Sequence, residues 1–216
     1  MELERFAQPG DPTGRDLAVM LPGAHIRPGD FASEGFISAL RGRRPHADAV
    51  AVGLDLADYI EPDFPARLHD RVTAPALRQG YGRISLVGIS LGGMGALRHA
   101  RRYPAQAASI VLIAPFLATA GMIAEVTAAG GLAAWNPGPD VDGDLERGLL
   151  AWLKSPGFAA IRPRLVLAYG TEDRFAAASV ILASVMPVER VIAIAGGHDW
   201  PTWLALWRRI LDVELG

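Results

Sequence analysis

Short, almost uninterrupted apolar runs alternate with longer stretches of mixed polarity along most of this chain. Residues 16–21 (Asp16-Leu17-Ala18-Val19-Met20-Leu21), 47–54, 83–88, 109–114, 164–169 and 190–194 read as strands. These runs are nearly all apolar, without the alternation of a sheet with one wet face, so strands buried on both sides are expected. Between them, Phe31, Phe36, Ile37 and Leu40 mark a helix. Leu68, Val72 and Leu77 mark a helical stretch over 64–78, in which Pro75 predicts a kink or a break. Residues 91–103 form a Gly/Ala-rich helical pattern stopped by Pro104. The pattern loosens over 115–155, with helices expected at 118–129 and 144–154 around Gly130-Gly131 and a loop at 135–143. A further helix is expected near 176–185. The last opens at Pro201 and buries a stripe of Trp203, Trp207, Ile210 and Leu211. Residues 1–16 are polar and rich in Gly and Pro, with little room for a strand pair. Strands alternating with helices predict an α/β domain with a mostly parallel sheet covered on both faces. With no repeat or linker in view, residues 1–216 are expected to form a single domain.

Composition narrows the chemistry. The chain is half hydrophobic and one-fifth charged, the balance of a soluble globular domain with a sizeable core. A formal net charge of −2 gives no electrostatic reason to expect a nucleic-acid partner. There is no cysteine, which excludes disulfides, thiolate metal sites and a cysteine nucleophile. The first residues lack a basic segment followed by an apolar one, and no apolar run approaches the ~18 residues of a membrane span, so a cytoplasmic location is the default expectation. No feature sets an oligomeric state. No histidine pair has zinc spacing and no glycine loop matches a nucleotide-binding pattern, so no metal and no cofactor is expected. Asp140-Val141-Asp142-Gly143-Asp144 opens like a calcium loop, but Leu145 and Ala151 stand where that pattern needs Gly and Glu. It reads as a solvated loop, with Asp142 or Asp144 starting the next helix.

One stretch carries chemistry. Gly88-Ile89-Ser90-Leu91-Gly92 lies where a strand turns into a helix. In that setting a G-x-S-x-G sequence lifts the serine hydroxyl above the strand end, and the flanking glycines let backbone segments approach closely. A serine hydroxyl is a poor nucleophile at neutral pH and needs a base held by a carboxylate. His198 fits best among the five histidines: it follows a strand, in Ala195-Gly196-Gly197-His198-Asp199-Trp200, just before a helix. His46, His69 and His99 lie near a basic turn or inside helical patterns and read as surface or structural. For the acid, Asp173 in Tyr169-Gly170-Thr171-Glu172-Asp173 lies past another strand end, with Glu172 its competitor. Asp199 reads as a helix cap. An oxyanion hole needs two N–H donors. Leu91, directly after the serine, offers one, and Ala24, in the Pro22-Gly23-Ala24-His25 loop after the first strand, offers the other. His25 is either a site residue or an ordinary loop histidine.

The elbow, the acid loop and the histidine loop occur in the order Ser90, Asp173, His198. On these motifs the chain resembles the α/β-hydrolase superfamily from about residue 16 onward. The stretches Gly88-Ile89-Ser90-Leu91-Gly92-Gly93-Met94-Gly95-Ala96-Leu97 and Gly197-His198-Asp199-Trp200 are similar to its esterase D-like branch of carboxylesterases, siderophore and feruloyl esterases and mycolyl-transferring relatives. Two departures stand out: Pro22 precedes Gly23 where many relatives carry His, and almost nothing precedes residue 16. The resemblance implies a trimmed sheet of about six strands and a serine hydrolase acting on a small-molecule carboxylic ester or thioester. The alternatives are an acyltransferase with the same triad and a non-catalytic binding protein on this fold. It also implies that 115–155 forms a short helical cap or lid, with Phe116 and Trp135 in an apolar pocket; the stretch Tyr59-Ile60-Glu61-Pro62-Asp63-Phe64, after the second strand, is expected on the opposite wall. An ordinary pair of core helices is the competing reading of 115–155.

Overall fold

The computed structural model describes residues 1–139, 141 and 143–213; Asp140 and Asp142 of the acidic loop lie outside the described residues. Seven strands are present among them: β1 (Glu2–Phe6), β2 (Asp16–Leu21), β3 (Asp48–Gly53), β4 (Arg83–Ile89), β5 (Ser109–Ile113), β6 (Leu165–Gly170) and β7 (Val191–Ile194). They form one sheet in the order β1-β3-β2-β4-β5-β6-β7, parallel throughout except for β1, which runs antiparallel to β3. The helices are α1 (Asp30–Ser33), α2 (Phe36–Arg43), α3 (Leu56–Ile60), α4 (Phe64–Leu68), α5 (Ala74–Arg78), α6 (Leu91–Arg102), α7 (Ala120–Ala128), α8 (Leu145–Trp152), α9 (Pro156–Ile161), α10 (Ala176–Ala183) and α11 (Trp200–Val213). No described helix is long and apolar enough to cross a membrane.

Neighbouring residues of a strand point to opposite faces, so each all-apolar run is divided between two cores. Leu86, Ile110, Leu112 and Leu167 join one core, with Tyr59, Phe64, Leu68, Met94 and Leu97 from the helices of that face. Val87, Val111, Ile113 and Val166 join the other, with Phe31, Phe36, Leu40, Trp203, Trp207 and Ile210 from α1, α2 and α11. Burial on both faces is the physical reason the strands lack a polar alternation.

The structure corrects the sequence reading at three places. The sheet has seven strands rather than about six, because Glu2–Phe6 pairs along β3 from Glu2 opposite Gly53 to Phe6 opposite Ala49. Only Leu3 and Phe6 of this edge strand are apolar, too few to show a period. Its charged residues also suit an edge that must not pair further. In the 64–78 stretch the winding widens rather than breaks: a π-turn over His69–Thr73 joins α4 to α5 immediately before Pro75. Proline has no N–H to donate, and its ring crowds the carbonyl four residues back, so a wider turn there is the accommodation expected. Helix α9 is additional; Ser155 caps it by accepting from Phe158 N at 3.2 Å, with Pro156 at its first position. Asp144 caps α8, accepting from Glu146 N and Arg147 N. The 115–155 segment, for which both a cap and core helices were open, contributes Ile123, Val126, Leu149 and Leu150 to the main core while also walling the cavity described below.

Candidate active site

Strand β4 ends at Ile89 and α6 begins at Leu91, so the whole reversal falls on Ser90. Its backbone stands at φ 53°, ψ −115°, a conformation L-residues avoid at a cost of about 1–3 kcal/mol. Neighbouring backbone holds it there. Ser90 N donates to Ile113 O at 3.0 Å, and Ser90 O accepts from Gly93 N and Phe116 N, each at 2.9 Å. The two motif glycines are required by space. A Cβ on Gly88 would sit 2.3 Å from Gly92 O, and one on Gly92 would sit 2.0 Å from Leu21 O.

Strands β6 and β7 deliver the two partners. Their following loops are tied by Thr171 N to Ile194 O at 2.8 Å and Glu172 N to Gly196 O at 3.0 Å. Asp173 Oδ2 lies 2.7 Å from His198 Nδ1, and His198 Nε2 lies 3.2 Å from Ser90 Oγ. The Asp173 side chain is only 1% exposed, and its other oxygen accepts from Phe175 N at 2.7 Å. A carboxylate only accepts hydrogen bonds, so the proton of the neutral imidazole belongs on Nδ1, and the Nε2 lone pair faces the hydroxyl. The imidazole is wedged edge-on between Phe175 and Trp203, each ring centroid 4.9 Å away. Glu172 is exposed and takes no part in this line. Asp199 instead caps α11, accepting from Thr202 N at 3.0 Å; the Thr202 hydrogen bonds hold its carboxyl below the usual range.

The loop after β2 closes on the serine from the other side. A Cβ on Gly23 would lie 3.1 Å from Ser90 Cβ, so Gly23-Ala24 passes directly against it. Leu91 is the first residue of α6, and its N–H is one of the first four that no intrahelical carbonyl accepts. Among the described residues no backbone carbonyl accepts from Ala24 N either. Both donors therefore remain available beside Ser90. His25 continues the turn at φ 63° and lines the cavity.

That cavity has a volume of about 660 Å³ and opens over Ser90 and His198. Of the residues picked from sequence, Ser90, Leu91, Ala24, His25, Phe116 and His198 line it, and Asp173 stands behind His198. Tyr59 and Trp135 do not line it, which corrects their assignment to its wall. Tyr59 is fully buried, and its hydroxyl donates to Pro22 O at 2.7 Å. Burial pushes its phenol well above the usual range, so it remains a donor. Ile60, from the same expected stretch, and Leu56 on the same helix form the wall, each more than half exposed. Trp135 is buried in the core and donates to Glu125 Oε1 at 2.8 Å. Sequence reasoning missed Leu56, Leu145, Glu146, Arg174 and Phe175. A local signal existed for the last two alone, which directly follow Asp173.

The other histidines lie elsewhere. His99 is buried against Pro65 O and Gln106 Oε1, and burial lowers its pKa to about 4. His69 lies 2.6 Å from Gln106 Nε2 and stacks on Tyr103. Among the described residues no group of three or more His, Asp or Glu side chains could hold a metal ion.

No protein-family model matches the chain, and no curated protein matches it in sequence. Solved structures do. A ferulic acid esterase aligns over 94% of this chain and 85% of its own, with a TM-score of 0.65 at 14% identity. A monoacylglycerol lipase from Paleococcus ferrophilus aligns over 98% of both chains, with a TM-score of 0.59 at 17% identity. The fluorophosphonate-binding serine hydrolase F of Staphylococcus aureus aligns over 97% of this chain and 90% of its own, with a TM-score of 0.64 at 12% identity. At such identities the likeness is one of fold: the chain has the α/β-hydrolase fold.

Proposed function

We propose that the chain is a cofactor-independent serine hydrolase that cleaves a small-molecule carboxylic ester or thioester. One observation carries the reading: an unbroken hydrogen-bonded line runs from Asp173 Oδ2 through His198 to the hydroxyl of Ser90, at 2.7 Å and 3.2 Å. Ser90 Oγ attacks the substrate carbonyl carbon while His198 Nε2 takes its proton, and Asp173 steadies the imidazolium. The carbonyl oxygen becomes an oxyanion held by the N–H groups of Leu91 and Ala24. As the tetrahedral intermediate collapses, His198 returns the proton to the leaving oxygen or sulfur and an acyl-Ser90 ester remains. Water then attacks the acyl carbon, giving its proton to His198, and the acid departs with Ser90 restored. The 115–155 segment serves as the cap of the acyl pocket, with Phe116 at its base. The names of the structurally similar esterase and lipase support ester cleavage as the reaction type.

The test is labelling by a fluorophosphonate probe of the wild type, Ser90→Ala and His198→Ala, alongside turnover of 4-nitrophenyl butanoate. The wild type labels and turns over; both variants lose labelling and turnover. Undiminished labelling or hydrolysis in Ser90→Ala would sink the assignment.

A further inference from the structure

Resting on the hydrolase reading above, we infer that Arg174 selects substrates whose leaving group carries an anionic group, such as a carboxylate or phosphate, while the acyl part is apolar. The cavity is not uniform. Leu56, Ile60, Met94, Phe116 and Leu145 give it an apolar side, and Leu56 and Ile60 are 56% and 53% exposed, an open greasy mouth on α3. The histidine side differs. There Phe175 packs edge-on against His198, and the Arg174 guanidinium lies over the Phe175 ring, with Cζ 4.8 Å from its centroid. The cation is thus held two ring contacts from the imidazole, at the cavity wall. Among the described residues it has no carboxylate or carbonyl partner.

The chemistry orients the substrate across these two sides. His198 must hand its proton to the leaving atom, so the leaving group exits along the histidine side, past Phe175 and Arg174. The acyl part takes the apolar side. A second charge reinforces the division. The Glu146 carboxylate also lines the cavity from α8, with its Oε2 accepting from Thr119 N at 2.8 Å and Thr119 Oγ1 at 2.9 Å. An anion carried on the acyl part would meet that carboxylate; an anion on the leaving group meets the guanidinium. A planar, five-donor guanidinium already steadied by an aromatic face suits oxygen anions better than an ammonium would.

Three esters separate the possibilities: 4-nitrophenyl butanoate, 3-carboxy-4-nitrophenyl butanoate with the carboxylate on the leaving group, and 4-nitrophenyl hemiglutarate with it on the acyl part. Each kcat/KM is taken relative to the neutral ester, for the wild type, Arg174→Gln and Arg174→Lys. In Arg174→Gln the leaving-group-carboxylate ratio falls about tenfold, the loss of one hydrogen bond to a charged group, and most of the fall lies in KM. Arg174→Lys recovers part of it, and rising salt lowers the wild-type ratio toward that of Arg174→Gln. The hemiglutarate ratio moves far less. An unchanged leaving-group ratio in Arg174→Gln, or an equal fall in the hemiglutarate ratio, overturns the inference while leaving the hydrolase reading intact. Failure of the wild type to turn over any of the three, with no fluorophosphonate labelling, overturns both.

Discussion

Replacing Ser90 by glycine and by alanine isolates the strain stored at the elbow. Both variants lose the hydroxyl and its 3.2 Å contact with His198, so their difference in stability reports on the backbone and the Cβ alone. At φ 53°, ψ −115° an alanine keeps the full conformational penalty, about 1–3 kcal/mol. Glycine occupies the mirror image of an ordinary extended conformation and escapes it. Against that gain stand about 0.4–1 kcal/mol for the greater freedom of glycine in the unfolded chain, and a few tenths for the lost contacts of a half-buried Cβ. The net expectation is that Ser90→Gly is about 1 kcal/mol more stable than Ser90→Ala, or about 2–4 °C higher in melting temperature for a chain of this size. Urea titration followed by circular dichroism, with calorimetric melting as a second readout, measures it. Equal stability, or a less stable glycine variant, would refute the claim that the fold holds Ser90 under strain.

Two further outcomes follow from buried residues. Tyr59→Phe removes the hydroxyl that donates to the Pro22 carbonyl in a buried setting and costs about 1–3 kcal/mol of stability. Because that bond tethers the loop carrying Ala24, kcat for 4-nitrophenyl butanoate falls about tenfold with little change in KM, a part of what losing a whole oxyanion donor costs; a stability loss with kcat untouched would dismiss the tether. His99 makes folding sensitive to acid. Its pKa lies at about 4 in the fold against 6.5 when free, so below pH 6.5 the unfolded chain gains a proton that the folded chain refuses until about pH 4. Stability from this group is complete above pH 6.5 and declines as pH falls through that window, by about 2 kcal/mol between pH 7 and 5. Urea midpoints at the two pH values should show that extra loss in the wild type and not in His99→Gln; an identical decline in both would place the acid sensitivity elsewhere.

How far the chain could be read depended on how local each signal was. Ser90, Asp173 and His198 each lie just past a strand end, in short loops whose turn residues are visible in sequence, and a parallel sheet carries all such loops to one edge. The apolar strands were legible for the same reason, since burial on both faces leaves no polar residue to interrupt them. The β1 strand was not, because two apolar residues in five at a sheet edge carry too little pattern, and its pairing depends on β3, more than forty residues away. The π-turn before Pro75 was visible only as an irregularity, not as a direction of change.

The chain's own sequence determined the architecture and the candidate catalytic side chains, because both rest on periodicity and on turns spanning a few residues. The walls of the cavity were decided by the tertiary structure. On five-residue α3, Leu56, Tyr59 and Ile60 are all apolar or amphipathic, and nothing in their spacing says which turns inward. Packing against Gly95, where a Cβ would come within 2.5 Å of the Tyr59 ring, sends Tyr59 into the core and leaves Leu56 and Ile60 at the mouth. Trp135 was drawn away by the Glu125 carboxylate, and Arg174 was placed by the Phe175 ring that steadies it. Each of these outcomes depends on a partner distant in sequence or on the exact direction of a side chain, and only the folded chain supplies either.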